Sequence, residues 1–139
     1  MVSGGGGAGD ILAAMTRHKK PGKMPGHAYS ERIRARVWIT GENGGYLGVG
    51  KVMLLERIEE YGSISRAAKS LQMSYKRAWQ LVEEMNGLGA EALVDKEAGG
   101  RGGGGARVTE KGQSAVRQYR ELEKRLARFL EKESEAIEL

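Results

Sequence analysis

The feature that most constrains the fold is a pair of short helical patterns between positions 62 and 86. In the first pattern, small and apolar residues recur at spacings of three and four; they are Ile64, Ala67, Ala68 and Leu71. The second pattern repeats this spacing at Ala78, Leu81, Val82 and Met85. A serine that can cap a helix stands before each pattern, at Ser63 or Ser65 and at Ser74. The sequence therefore predicts two short helices joined by a tight turn, a helix–turn–helix.

From position 63 to position 82, every charged residue of this stretch is basic. Between Ser63 and Val82 there is no acidic residue, and the basic residues are Arg66, Lys69, Lys76 and Arg77. The whole chain has a formal net charge of +5, which favours a polyanionic partner. A basic helix–turn–helix places its second helix in the major groove of DNA, while residues such as Arg66 and Lys69 would hold phosphates.

The segment before the helix–turn–helix divides into a tail and a domain. Residues 1–29 are rich in glycine and basic side chains and are predicted to form a flexible tail, which would either lie along phosphates or simply be solvated. The domain is expected to occupy residues 30–139. It would begin with a β-hairpin, because apolar residues alternate along a strand at 33–40 and a glycine-rich turn returns the chain through Tyr46 and Leu47.

Two predicted strands with a glycine-rich loop between them follow the helix–turn–helix. The strands are 92–95 and 106–109. Arg101 stands at the centre of the loop and Arg107 at its base. This pattern is typical of a wing that reaches along the DNA backbone or into the minor groove, although a glycine- and arginine-rich RNA-binding segment is an alternative for the same residues.

A long helix is predicted over residues 110–132, capped at its start by Thr109. Its apolar residues follow alternating spacings of four and three, at Ala115, Tyr119, Leu122, Leu126 and Phe129. Such a seam, distant from a small core, favours contact with a second copy. We therefore expect a homodimer, with Tyr119, Leu122, Leu126 and Phe129 as its dimerisation residues.

Several classes of function find no support in the sequence. There is no cysteine for a disulfide or a thiolate metal site, and no apolar run approaches the roughly 20 residues of a membrane span. The start of the chain lacks a signal-peptide pattern, so a cytoplasmic protein is expected. No catalytic triad, metal cluster or complete phosphate loop occurs. We predict a protein that is not an enzyme, with no catalytic residue, cofactor or metal.

Several short strings resemble the N-terminal DNA-binding domain of ModE, the molybdate-responsive regulator. These strings are 62–65, 73–76, Ala78 with Trp79, 84–86, and the glycine-rich run 99–106 followed by Thr109 and Gly112. The first half of the region also resembles the helix–turn–helix of LysR-type regulators. The resemblance covers about residues 31–130, and the wing that follows the Ser-Tyr-Lys string makes it specific.

The resemblance to ModE implies a fold and a partner. The fold would be mainly α with small β elements, namely a winged helix–turn–helix with an N-terminal β-hairpin and a long C-terminal dimerisation helix. The partner would be double-stranded DNA, bound by a homodimer at an inverted-repeat operator to regulate transcription. The residues facing the groove would be Ser74, Tyr75, Lys76, Arg77 and Gln80, and the wing would contact DNA through Arg101 and its neighbouring glycines.

The chain is expected to differ from ModE in lacking the molybdate-binding domain, so the resemblance names no small-molecule effector. Two alternatives to operator binding stay open. The winged helix could be a protein-interaction module in which Tyr75 and Trp79 are anchors. The protein could also be a small oxyanion sensor with a pocket near Arg34 and Arg36.

Overall fold

The computed structural model describes residues 27–30, 32–96 and 105–139, a mainly helical region with three antiparallel strand pairs. In chain order the elements are β1 (His27–Tyr29), β2 (Arg34–Arg36), β3 (Ile39–Thr40), β4 (Tyr46–Leu47), α1 (Val49–Tyr61), α2 (Ile64–Ser70), α3 (Tyr75–Asn86), β5 (Val94–Lys96), β6 (Ala106–Val108) and α4 (Glu110–Ser134). Helices α2 and α3 form the helix–turn–helix, and β5 and β6 form the base of the wing. The predicted fold class is confirmed. The predicted tail up to residue 26 and the tip of the wing lie outside the described residues.

Most of the core is built from the three helices α1, α2 and α3. Helix α1 contributes four fully buried side chains, which are Val52, Leu54, Leu55 and Ile58. Helices α2 and α3 contribute Ile64, Ala67, Ala68, Ala78, Leu81, Val82 and Met85. The residues from α2 and α3 are those that the helical spacing predicted. Because burying apolar surface is the main stabilising term of folding, this shared core sets the angle at which α3 is presented.

The connection between α1 and α2 depends on a glycine. Gly62 ends α1 in the left-handed conformation, with φ of 67°, and its amide donates to the carbonyl of Ile58 at 2.8 Å. A side chain there would be strained, whereas glycine adopts this conformation readily. The carbonyl of Gly62 accepts a hydrogen bond of 3.0 Å from the amide of Ala106. The wing is thereby attached to the beginning of the helix–turn–helix.

Helix α4 packs against the rest of the domain through Tyr119. Its side chain is 0% exposed, and its hydroxyl donates to the carbonyl oxygen of Val37 at 2.9 Å. Burial raises the pKa of Tyr119, and the nearby carboxylate of Glu123 raises it further. Tyr119 was expected at a dimer seam, whereas the structure places its side chain in the core of its own chain.

An ion-pair network joins α4 to α1. Arg120 donates to both carboxylate oxygens of Glu56, from Nε at 2.9 Å and from Nη2 at 2.7 Å, and its Nη1 donates to Glu123 at 2.8 Å. The hydrogen bond to Glu56 is the main cause that raises the pKa of Arg120. A two-point contact of this kind fixes orientation as well as distance. Helix α4 is therefore held at a defined position on α1.

A close backbone approach brings the start of α4 against the wing. A Cβ atom placed on Gly112 would lie 2.3 Å from the carbonyl oxygen of Leu93, so only glycine fits. Thr109 caps the helix, as predicted, by accepting a hydrogen bond from the amide of Gly112 at 3.0 Å. Its hydroxyl also donates to the carbonyl of Ala92 at 2.8 Å. The cap therefore joins α4 to the strand region of the wing.

The N-terminal strands differ from the predicted hairpin. The single strand expected over 33–40 is divided into β2 and β3, which pair with different partners. Strand β2 pairs with β1, a strand that was not expected, and β3 pairs with β4 as predicted. The division falls at Val37, whose carbonyl accepts the hydrogen bond from Tyr119. A long-range contact with α4 therefore interrupts a pattern that reads locally as one strand.

Candidate nucleic-acid interface

The start of α3 is held by a side-chain cap. The hydroxyl of Ser74 accepts a hydrogen bond from the amide of Arg77 at 3.0 Å. The apolar face of α3 is buried, which turns the opposite face towards solvent. The predicted groove-facing residues are therefore all exposed, namely Ser74, Tyr75, Lys76, Arg77 and Gln80. Their use in DNA recognition stays a prediction.

Helix α2 and the following turn place a second set of cations beside α3. Ser63 is the residue that caps α2, accepting from the amide of Arg66 at 3.2 Å. The chain then turns through Gln72, which has a φ of 56°, and the amide of Met73 donates to the carbonyl of Ala68 at 2.9 Å. Arg66 and Lys69 lie on α2 with their side chains exposed. The compact turn thus brings the four predicted cations onto two consecutive, closely packed helices.

The charges on α3 differ between its two ends. Among the described residues, none of the helix–turn–helix cations has an acidic partner within 4.0 Å; these cations are Arg66, Lys69, Lys76 and Arg77. The acidic residues near the end of α3 are paired, Glu84 with Lys51 at 3.0 Å and Glu83 with Lys96. The first turn of α3 also contains no acidic residue, so the positive end of the helix dipole adds to the cationic charge. This combination can bind phosphate and can donate hydrogen bonds to acceptors on bases.

The wing contributes one described cation and one outside the described residues. Arg107 lies on β6 and pairs with Asp95 on the facing strand at 3.1 Å, with both side chains exposed. Part of its charge is therefore already compensated. Arg101, the predicted wing contact, lies in the segment 97–104 that the structure does not describe.

Lys96 links the wing to α3, and the sequence reasoning did not identify it. Its ammonium group contacts the carboxylate of Glu83 and lies 4.6 Å from the centre of the Trp79 ring. The ring of Tyr75 packs edge-on against Trp79 at 6.0 Å between centroids. No local pattern connects residues 96 and 83, because the contact arises only when β5 packs on α3.

Asn86 is a second residue that the sequence reasoning missed. Its side-chain oxygen accepts hydrogen bonds from the amides of Leu93 and Val94 at 2.9 and 3.0 Å, and its amide nitrogen donates to the carbonyl of Val94 at 3.0 Å. One side chain at the end of α3 therefore satisfies three backbone groups at the start of the wing. An asparagine after a helical pattern indicates the end of a helix, but the sequence does not show which backbone groups its side chain will bind.

The remaining predicted dimerisation residues lie on one helix with different exposures. Leu122 is 40% exposed and Phe129 is 58% exposed, whereas Leu126 is partly buried. Leu130, which was not predicted, is buried instead. Exposed aromatic and aliphatic side chains on α4 leave apolar surface available for a partner.

Metal-binding and membrane-spanning features are absent from the described residues. Within the part of the chain that the structure describes, no group of three or more His, Cys, Asp or Glu residues could hold a metal ion. Over the same residues, no helix combines the length and the apolar character that crossing a bilayer requires.

Comparison with known proteins finds relatives that share a region with this chain, although no protein-family model matches it. The chain is 42% identical over 106 residues to the molybdenum transport protein ModE of Azotobacter vinelandii, which covers 76% of this chain and 39% of that protein. It is 45% identical over 69 residues to the DNA-binding transcriptional dual regulator ModE of Escherichia coli strain K12, covering 50% of this chain and 26% of the relative. It is also 42% identical over 84 residues to the molybdenum-pterin-binding protein MopA of Rhodobacter capsulatus, covering 60% and 32%.

These relatives confirm the resemblance to ModE for a region of this chain. The chain spans at most 39% of the length of these three relatives. The similarity therefore concerns the shared region, and the resemblance to LysR-type regulators stays a prediction.

Proposed function

We propose that this chain, which carries a ModE-like region, is a sequence-specific double-stranded DNA-binding regulator of transcription. The observation that carries the proposal is the exposed, cationic N-terminal half of α3, whose basic side chains have no acidic partner among the described residues. Unpaired cations at the start of a capped helix suit a polyanion, and the helix lies on a winged helix–turn–helix scaffold. The relatives named as transcriptional regulators support the same function.

The proposed mechanism divides the work between base contacts and phosphate contacts. Lys76, Arg77 and Gln80 have long side chains on the exposed face of α3 and would reach base edges in the major groove. Arg66 and Lys69 on α2 would bind phosphates and set the register of the protein on the duplex. The wing would add a backbone contact through Arg101 and, more weakly, through Arg107, because Asp95 already pairs with Arg107.

We further propose that the regulator is a homodimer that binds an inverted repeat. The exposed Leu122 and Phe129 of α4 support this, and we place them at the interface together with the partly buried Leu126. A two-fold dimer would present its recognition helices about 34–36 Å apart, one turn of the duplex. Analytical ultracentrifugation of the wild type and of Phe129→Glu tests the interface, because a charge in an apolar contact would shift the equilibrium towards the monomer.

Selection of bound duplexes from a random pool, followed by titration of the selected site and a scrambled duplex, tests the function. We expect a preferred site, and we expect Lys76→Ala to lower the preference for that site more than it lowers general affinity. Lys124→Ala, on the exposed side of α4, is the matched control and should leave both unchanged. Failure to bind any duplex at low salt would refute the proposal and would favour a protein-interaction module.

A further inference from the structure

A cleft of about 470 Å³ lies between the N-terminal strands and the helix–turn–helix. One wall is formed by the β2–β4 region with Arg36, Trp38 and Tyr46, and the opposite wall by α3 with Arg77 and Glu84. The start of α1 forms the floor. The cleft is therefore bounded by three separate parts of the fold, one of which is the proposed DNA-reading helix.

The aromatic wall is both exposed and held in place. Trp38 is 54% exposed and Tyr46 is 51% exposed, and their rings meet edge to face at 6.3 Å between centroids. A Cβ atom on Gly48 would lie 2.8 Å from Cδ1 of Trp38, so the indole lies directly against the backbone there. The two rings are nearly perpendicular, at 84°, and the ammonium group of Lys51 lies 4.4 Å from the centre of the Tyr46 ring. The indole of Trp38 is therefore the aromatic surface on which a planar group can pack.

The charged groups of the cleft leave a positive excess. Lys51 is only 7% exposed and is already satisfied, because its ammonium group donates to the Tyr46 carbonyl at 2.9 Å and pairs with Glu84 at 3.0 Å. Within the described part of the chain, Arg36 and Arg77 have no acidic partner within 4.0 Å. Two such arginines lining one cleft favour an anionic ligand, since guanidinium binds carboxylates through paired hydrogen bonds.

From these features we propose that the cleft binds a small organic anion with a planar ring. Its volume lies in the range of small-molecule sites, roughly 300–1,000 Å³. A tetrahedral oxyanion would engage the arginines but would leave the aromatic wall uncovered. An aromatic carboxylate satisfies both, with its ring on the indole of Trp38 and its charge beside Arg36 and Arg77.

A bound ligand would also compete with DNA, because Arg77 belongs to both surfaces. An arginine held by a carboxylate in the cleft is not available to a base or a phosphate. This second part of the inference depends on the proposed function, whereas ligand binding by the cleft does not. The ligand would thus be a negative effector of DNA binding.

Ligand binding is tested without DNA, with benzoate as the probe and benzamide as its neutral counterpart. We expect benzoate to give saturation-transfer signals and to change tryptophan fluorescence at millimolar concentration, with benzamide at least about tenfold weaker because it lacks the charge. Arg36→Gln should weaken benzoate binding, while Arg125→Gln, an exposed arginine on α4, should not. Equal binding of benzoate and benzamide would overturn the proposal.

A filled cleft gives a second, independent test. Gly50 lines the cleft, and a Cβ atom placed on it meets nothing within 4 Å. Gly50→Leu therefore adds a side chain at the cleft from a position where its Cβ meets no clash, and it improves the helix propensity of α1. Circular dichroism of the variant checks that it is folded. We expect this variant to lose benzoate binding, while Lys124→Leu retains it. Unchanged binding by Gly50→Leu would place the ligand elsewhere and overturn the proposal.

The effect on DNA is measured as the affinity for the selected duplex with and without benzoate. We expect saturating benzoate to weaken DNA binding by the wild type and to have a smaller effect on Arg36→Gln. Benzoate binding with unchanged DNA affinity would overturn the negative-effector part alone. Absence of any DNA binding would instead refute the proposed function and would leave the benzoate result standing, since that measurement uses no DNA.

Discussion

Helices α3 and α4 carry similar basic residues in different electrostatic surroundings. On α3, Lys76 and Arg77 have no acidic partner among the described residues. On α4, Arg120 is bound by Glu56 and Glu123, and Arg125 lies 3.5 Å from Glu121. The comparison teaches that the count of basic residues does not mark a binding surface. Among the described residues, four further basic residues of α4 also lack an acidic partner within 4.0 Å, but acidic residues stand between them along the helix; they are Arg117, Lys124, Arg128 and Lys132. What distinguishes the start of α3 is positive charge in a stretch of sequence that contains no acidic residue.

The largest effect on stability is expected from the buried residue of α4, and it tests whether α4 belongs to the core of the domain. Tyr119→Ala removes a fully buried ring and should lower the free energy of unfolding by about 3–5 kcal/mol. Urea denaturation followed by circular dichroism measures this. Phe129→Ala, on the same helix but 58% exposed, should change the stability of the dilute protomer by less than about 0.5 kcal/mol. Similar losses in both variants would contradict the distinction between a buried and an exposed face of α4.

The next largest effect, on DNA binding, is expected from the unpaired cations of α3. Replacing Lys76 or Arg77 by alanine should each cost about 1–3 kcal/mol of discrimination for the selected duplex if both contact bases. Stability should not change, because neither side chain has an ion pair to lose among the described residues. The matched pair is Lys124→Ala and Arg125→Ala on α4, for which we expect unchanged duplex affinity. A comparable loss from the α4 pair would show that general charge, and not position, determines binding.

A smaller effect tests the paired cations of α4. Arg120→Met removes hydrogen bonds to two carboxylates and should lower stability by about 1.5–3 kcal/mol. Arg125→Met breaks one exposed pair within the helix and should cost only about 0.3–0.5 kcal/mol. Thermal unfolding of the two variants measures the difference. Arg120→Met should leave the affinity for the selected duplex unchanged. If the variant lost more free energy of duplex binding than free energy of unfolding, the ion-pair network would take part in DNA binding, which we do not expect.

The smallest effect concerns the hydroxyl of Tyr119. Tyr119→Phe loses the hydrogen bond to Val37 and should cost about 1 kcal/mol at pH 7. The pKa of Tyr119 is raised in the folded state, so its contribution is present below the unfolded pKa near 10 and is lost as the pH rises through the folded value. The stability difference between wild type and variant should therefore shrink in alkaline solution. A difference that is constant up to pH 11 would contradict the assigned cause.

The helix–turn–helix was predictable because its determinants are local. The spacing of Ala78, Leu81 and Val82 and the serine caps act over three or four residues, and the structure confirms each of them. The start of α4 at Thr109 was predictable for the same reason. A cap is a contact between a side chain and an amide three residues later, so its residues are adjacent in the sequence.

The N-terminal strands and Tyr119 were not predictable because their determinants are distant. The alternating pattern over 33–40 indicates one strand, but Tyr119 takes the carbonyl of Val37 and the chain divides there. The seam pattern on α4 likewise does not reveal that Tyr119 points into the protomer while Phe129 does not. Heptad spacing predicts which residues share a helix face, but it does not show whether that face packs on the same chain or on a second copy.

In the candidate site too, local features were predictable and long-range contacts were not. Exposure of Lys76 and Arg77 follows from the helical period, and it was predicted. The contacts of Lys96 with Glu83, and of Asn86 with Leu93 and Val94, join residues that only packing brings together. The cleft between the N-terminal strands and α3 is likewise a product of packing and has no linear motif.

The sequence by itself determined the helix–turn–helix, its caps and the basic character of α3, since short-range spacing controls which face of a helix is apolar. Only the tertiary structure decided which charges stay unpaired, where α4 docks and where a cleft remains. The physical reason is the distance along the sequence over which each interaction acts. Helix periods and caps act within one or two turns, whereas ion pairs such as Arg120 with Glu56 and the burial of Tyr119 depend on segments more than 60 residues apart.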